Sequence, residues 1–153
     1  MEMDVGLTVA IASDHAGVDL KEFLHYKLQD HGARIAKVVD LGPQGMERVD
    51  YPDYAVKVCE SILHKKAHLG ILICGSGVGM SMMANRYKHI RCALVHEPTS
   101  AALSKQHNNS NVLSMGARLI GPDQAWACVE AWLRASYEGG RHDGRIAKLD
   151  IKL

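Results

Sequence analysis

Residues 69–80 read LGILICGSGVGM: an apolar run closed by Cys74, then glycines at 75, 77 and 79. A strand that ends in a thiol and enters a loop nearly free of side chains offers backbone chemistry. If a helix begins at about Gly79, its first N–H groups lack internal partners, and the positive end of its dipole lies behind them. Glycines let a ligand approach that backbone closely. An oxyanion fits there, and a thiol beside the same positive end is favoured as the thiolate. Cys74 then reads as a base or nucleophile facing an anion hole; the competing reading is an inert strand cysteine.

Other phosphate loops fit less well. A dinucleotide fingerprint needs G-x-G-x-x-G, and Met80 stands where its third glycine belongs. Glu97, at the end of the next apolar run, is placed where a ribose-binding acid would sit, which keeps a noncatalytic nucleotide- or flavin-binding module as an alternative. A Walker loop is excluded, because no lysine follows Gly79. A turn that merely lets helix and strand pack closely is the plainest alternative, although three alternating glycines are costly to order.

Partners for such a site are legible elsewhere. Asp14 and His15 follow an apolar run and can bind hydroxyls or pass protons, while Asp14 also suits a helix cap. Arg141 and Arg145, in GGRHDGR, share one face if that stretch is helical; two forked cations suit a phosphate dianion, or else belong to a solvated tail. Arg118 is a third candidate cation. His107 and Asn108 close a helical segment, where a histidine also serves simply as a C-terminal cation. His64 and His68, in HKKAH, lack the glutamate of a zinc motif, so no metal site is expected. Cys59, Cys92 and Cys128 show no metal or disulfide spacing and read as buried free thiols. One base, an anion hole, an acid to open a sugar ring and a phosphate grip suffice for aldose–ketose isomerisation without a cofactor. A cysteine hydrolase would need a His–Asp pair beside Cys74, and none is legible there.

The elements that must position these groups follow from periodicity. Strands are expected at 7–13, 34–42, 69–75, 90–97 and 111–120. Helices are expected over AGVDLKEFLHYKLQDHG (Leu20, Phe23, Leu24 and Leu28 inward, Gly32 as stop), from Pro52 with Ala55, Val58, Ile62 and Leu63 inward, over Gly79–Tyr87, over PTSAALSKQHN and over PDQAWACVEAWLRASYE. Met80, Met82 and Met83 read as core packing. Five strand–helix alternations predict a doubly wound, Rossmann-like α/β fold: a five-stranded parallel sheet in a three-layer αβα sandwich, one domain over 1–153. Residues 139–153 form a polar tail that carries the paired arginines. Ligands of such sheets bind outside the carboxyl ends of the strands, which selects the Asp14, Cys74, His96–Glu97 and Arg118 neighbourhoods.

Composition sets the class. The chain has 153 residues, 47% hydrophobic and 23% charged, with a net charge of +1, which argues against nucleic-acid or membrane-surface partners. MEMDVGLT does not resemble a signal peptide, no apolar run reaches a membrane span, and free thiols point to a reducing compartment. The final IKL approximates a peroxisomal address, but its isoleucine favours an ordinary helix end.

Taken together, SDHAG, VDYPDYA, ILICGSGVGMS, SKQHNNSNVLSMGAR, AWL and YEGGRH…R closely resemble B-type ribose-5-phosphate isomerases, in order and over nearly the whole chain. The resemblance implies a cytoplasmic enzyme of pentose phosphate metabolism that interconverts ribose 5-phosphate and ribulose 5-phosphate without metal or cofactor. It implies a homodimer with sites at the subunit interface, or a homotetramer. Cys74 resembles the proton acceptor, and Gly75, Ser76, Gly77, Val78 and Gly79 the enediolate loop, with Ser76 assisting proton movement. His107 resembles the ring-opening acid, Asp14 the ligand of ring and carbonyl oxygens, and Asn108 a residue steadying the enediolate. His15, Arg118, Arg141 and Arg145 resemble phosphate and sugar ligands, part of the set coming from the second subunit. Part of the family places a glutamate base after the last loop glycine; Met80 cannot take a proton, which leaves Cys74. Related isomerases act on phosphates of allose or galactose.

Overall fold

The computed structural model describes residues 6–32 and 34–150; the IKL end and the MEMDV start lie outside them. Strands β1 (Leu7–Ser13), β2 (Ile35–Asp40), β3 (Leu69–Cys74), β4 (Cys92–Leu94) and β5 (Val112–Gly116) form one parallel sheet in the order β2-β1-β3-β5-β4. The helices are α1 (Val18–Gln29), α2 (Tyr51–Leu63), α3 (Val78–Ala84), α4 (Pro98–Asn108), α5 (Pro122–Arg134) and α6 (Arg141–Leu149). β5 inserts between β3 and β4, so the crossover through α4 runs back over the sheet. The expected three-layer sandwich is the observed one.

Alternation along the strands assigns the two faces. Val9, Ile11, Ile71, Ile73, Leu113 and Met115 pack with Leu24 of α1, Ala101 of α4 and Trp132 of α5. Ala10, Ala12, Leu72 and Cys74 pack with Val58 and Cys59 of α2 and Met80 and Ala84 of α3. Small residues on the second face let α2 come close: a Cβ on Gly70 would stand 2.4 Å from a Val58 methyl. Cys74 thus belongs to the strand end that α2 and α3 cover.

Several expected boundaries shorten. β4 is three residues rather than eight, because it is an edge strand; Asn85 pairs its side chain with both the N–H and the C=O of Cys92, at 2.7 and 2.9 Å, and seals that edge. β5 stops at Gly116, and Arg118 lies in the turn beyond it, its N–H donating to Gly75 C=O. α5 ends at Arg134. The expected polar tail is corrected to the helix α6. Met82 is not core: it is 63% exposed, whereas Met80 is fully buried. Leu63, expected inward, is partly exposed.

One buried charge ties the sheet to the loop ahead of α2. Lys21, fully buried on α1, donates to both oxygens of Asp40 (2.8 and 2.9 Å) and to Pro43 C=O (2.7 Å). The Gly42 N–H donates to the same carboxylate at 2.8 Å. Burial pushes Asp40 up, but the Lys21 hydrogen bonds and charge and the Gly42 N–H outweigh it, and the net shift is downward. Removing one partner of a buried pair leaves the other uncompensated. Lys21→Ala should therefore lower unfolding free energy by about 3 kcal/mol in urea titrations. Because the folded pKa of Asp40 is depressed, the wild-type advantage is present above the ordinary carboxylate range and fades as pH falls through the folded pKa.

Candidate active site

At the carboxyl ends of β1, β3 and β5 a cavity of about 520 Å³ opens, lined among others by Asp14, Tyr51, Cys74, Ser76 and Arg118. β1 ends at Ser13, and its pairing with β3 carries Asp14 beside Cys74. The Asp14 N–H donates to Ile73 C=O at 3.0 Å, which pins the residue to the neighbouring strand. One carboxylate oxygen accepts from Ala16 N–H at 2.9 Å and caps the short turn His15–Gly17. Capping and lining the cavity thus coexist, as the sequence allowed. His15 accepts from Val49 N–H at 3.2 Å through Nδ1.

The glycine loop is shaped by close approach. Gly77 sits in the left-handed region at φ 77°, and a Cβ there would meet the Met115 backbone and a Leu94 methyl at 2.7 Å. Its N–H turns back and donates to Cys74 Sγ at 3.2 Å. The Val78 N–H donates to Ser76 Oγ at 3.3 Å, and α3 starts at Val78, one residue before the expected start. Gly79 serves another purpose: a Cβ on it would stand 2.5 Å from the Tyr51 ring. Tyr51 therefore packs against the loop and forms one wall of the cavity. Sequence reasoning included Tyr51 in a motif but assigned it no role; its position before Pro52 at the first turn of α2 was the available signal.

Cys74 is 5% exposed, and the residual surface faces the cavity. The other three thiols do not line this cavity. Burial pushes Cys59 and Cys92 up to about 12 and Cys128 up to about 11. Arg118, exposed in the turn after β5, reaches over Gly75, where a Cβ would meet its guanidinium at 3.2 Å. His96, after β4, supports the loop from below by accepting the Gly116 N–H at 2.9 Å. Glu97 caps α4 by accepting from Thr99 and Ser100 N–H, which also lowers its pKa. That carboxylate is committed to a helix end, so the dinucleotide reading loses its ribose ligand. His68 likewise accepts the Thr8 N–H at 2.9 Å, so HKKAH is not a metal pair.

The remaining expected residues lie elsewhere in the chain. α4 runs antiparallel to the strands, so His107 and Asn108 stand at the amino ends of the sheet, beside the entry to β5. Six residues of β3, at about 3.3 Å each, separate that end from Cys74 by roughly 20 Å. α6 packs against α4 and holds Arg141 and Arg145 exposed on one face at the same end. One chain brings together Asp14, Cys74, the 75–79 loop and Arg118, with His15 next to Asp14 but paired to Val49 rather than lining the cavity; it does not bring His107, Asn108, Arg141 and Arg145 to them.

This geometry has counterparts in known proteins. Residues 9–149 match the ribose/galactose isomerase family. The chain belongs to it. Ribose-5-phosphate isomerase B of Escherichia coli is 44% identical over 138 residues, 90% of this chain and 91% of that protein. A crystal structure of a ribose 5-phosphate isomerase from Thermotoga maritima superposes with a TM-score of 0.90 at 49% identity, covering 94% of this chain and 97% of the other. Ribose-5-phosphate isomerase B of Mycoplasma genitalium, solved with ribulose 5-phosphate bound, gives 0.86 at 41% identity over 93% of each chain. Both solved structures thus share the overall fold of this chain.

The close contact at Gly79 makes a test of the wall. Gly79→Ala should destabilise the protein by about 1–3 kcal/mol through overpacking against Tyr51. Tyr51→Ala in the same chain should recover a measurable part of that loss in a double-mutant cycle, whereas two independent sites would simply add.

Proposed function

We propose that this family member interconverts ribose 5-phosphate and ribulose 5-phosphate. The observation that carries the reading is the cavity at the carboxyl ends of β1, β3 and β5, where Cys74 meets a backbone donor, a carboxylate and a guanidinium. The thiolate of Cys74 takes the proton from C2 of the open-chain aldose and returns it to C1. Negative charge moves onto the oxygens of the enediolate, which the backbone N–H groups of the 75–79 loop receive. Ser76 assists the proton's movement between oxygens. Asp14 holds the ring and carbonyl oxygens, and Asn108 steadies the enediolate.

Ring opening precedes this step. The bond between C1 and the ring oxygen breaks, His107 gives a proton to that oxygen, and the anomeric hydroxyl passes its proton to water, from which His107 is reprotonated. Arg118, Arg141, Arg145 and His15 grip the phosphate and sugar. His107, Asn108 and the two α6 arginines come from a second copy, whose α4–α6 end covers the cavity. Support for this arrangement comes from the roughly 20 Å separation within one chain and from the cavity's apolar rim: Val78, Met82 and Leu119 are 38%, 63% and 64% exposed.

Three measurements test the reading. Purified protein should isomerise ribose 5-phosphate in preference to allose or galactose phosphates in a substrate panel, and Cys74→Ala should lower kcat by about 10²–10⁴-fold while remaining folded. Arg141→Ala and Arg145→Ala should raise KM more than Cys74→Ala does, because a phosphate grip acts in the ground state too. Cys74→Ala and His107→Asn chains, each nearly inactive alone, should regain about a quarter of wild-type activity when refolded together, since half the dimers are mixed and each has one intact composite site. Mixed chains that stay inactive refute the shared site.

A further inference from the structure

At the end of the sheet remote from Cys74, one carboxylate stands between two imidazoles. Glu138 Oε1 lies 3.7 Å from His107 Nε2 and 3.6 Å from His142 Nε2. The two rings are stacked, with centroids 4.7 Å apart and planes 16° apart. The His142 side chain is only 5% exposed, and its Nε2 has no hydrogen-bond partner. A buried polar nitrogen left unpaired loses its hydration without compensation, so packing alone does not explain an imidazole at this position. The main chain of Glu138 is fixed beside α4: its N–H donates to Gln106 C=O at 3.0 Å, one residue before His107. On the other side, Tyr137 Oη donates to Asp143 at 2.6 Å and ties the linker to the first turn of α6.

These three groups could be read as metal ligands. The stacking argues otherwise. A metal lies close to the plane of each imidazole that binds it, and two nearly parallel planes do not converge on one ion between the rings.

We propose that Glu138 and His142 are positioning residues for His107. The Glu138 carboxylate keeps a proton on Nε2 of His107, the stacked ring of His142 fixes its plane, and the remaining ring nitrogen is left to serve the sugar. His142 Nε2 donates to the same oxygen once the site closes, which resolves its missing partner. The present 3.6–3.7 Å separations are longer than hydrogen bonds, and catalytic contacts commonly tighten when substrate binds. The inference rests on the ring-opening role proposed for His107.

Ring opening and proton transfer can be measured separately. Ribulose 5-phosphate has its terminal oxygen esterified and stays open-chain, so deuterium exchange at its C1 in D₂O needs Cys74 but no ring-opening acid. Glu138→Gln and His142→Phe, the latter keeping the stacked ring, should each slow turnover of ribose 5-phosphate by on the order of tenfold to a hundredfold, as misplacement of a reacting group does. Exchange into ribulose 5-phosphate should change by less than about threefold in both variants, and His107→Asn should show the same split more strongly. Parallel losses in the two assays, or no loss in either, overturn the positioning role. Wild-type protein inactive in both assays would instead count against the isomerase reading, and an unsplit His107→Asn against the ring-opening assignment.

Discussion

The Gly77 N–H turned back onto the sulfur of Cys74 is the contact around which this site is organised. It requires the peptide after β3 to fold over its own strand end, within van der Waals distance of β5. Only residues without side chains permit that. A Cβ on Gly116 would stand 2.6 Å from the Ser76 backbone, and one on Gly77 would meet Met115. The glycines therefore let two backbones meet so closely that one amide N–H reaches the thiol on the side that the apolar core leaves open. Amides held this way need no reorganisation as charge develops on a substrate oxygen, which is where such preorganised donors gain their advantage over water.

Cys74 differs from the other three thiols in where it stands: it lines the cavity at the strand ends. Cys59, Cys92 and Cys128 are pushed upward by burial, which withholds the thiolate from them near neutral pH. Cys74 belongs to the same core face as Cys59 and ends a fully buried strand, yet it opens onto the cavity. The difference is one of position along the strand: the last residue of β3 lies where the sheet stops and α3 has only begun. Rigidity comes from ties on either side. Asp14 is pinned to Ile73, His96 holds Gly116, and Lys21 anchors the loop that leads to Tyr51.

The sheet also divides the chemistry between its two ends. Parallel strands with returning helices send the carboxyl ends of strands and of helices in opposite directions. Residues at helix ends, such as His107, are thereby removed from residues at strand ends, such as Cys74. The alternatives read from single residues resolve for the same kind of reason: Glu97 and His68 are each committed to a backbone N–H, which accounts for them without a ligand.

Local pattern alone carried much of this. Hydrophobic periodicity marked all five strands and the first five helices, because burial between helical layers demands continuous apolar runs. The spacing of Cys74 and its glycines marked a strand end that enters a tight backbone-lined loop, and Asp14 both caps a turn and lines the cavity after β1. Edge strands were overextended, since an edge such as β4 is closed by a distant side chain, Asn85, that no local pattern reveals. Residues 141–149 looked like a solvated tail because only one buried side chain, His142, holds that helix to the fold. What tertiary structure alone decided is which residues meet. The insertion of β5 between β3 and β4 sets Arg118 over Gly75, the close packing of Tyr51 on Gly79 builds a wall, and the antiparallel course of α4 carries His107 away from Cys74 to stack on His142. Residue type and spacing determine what a side chain can do; strand order and helix direction, being long-range, determine what it can do it to.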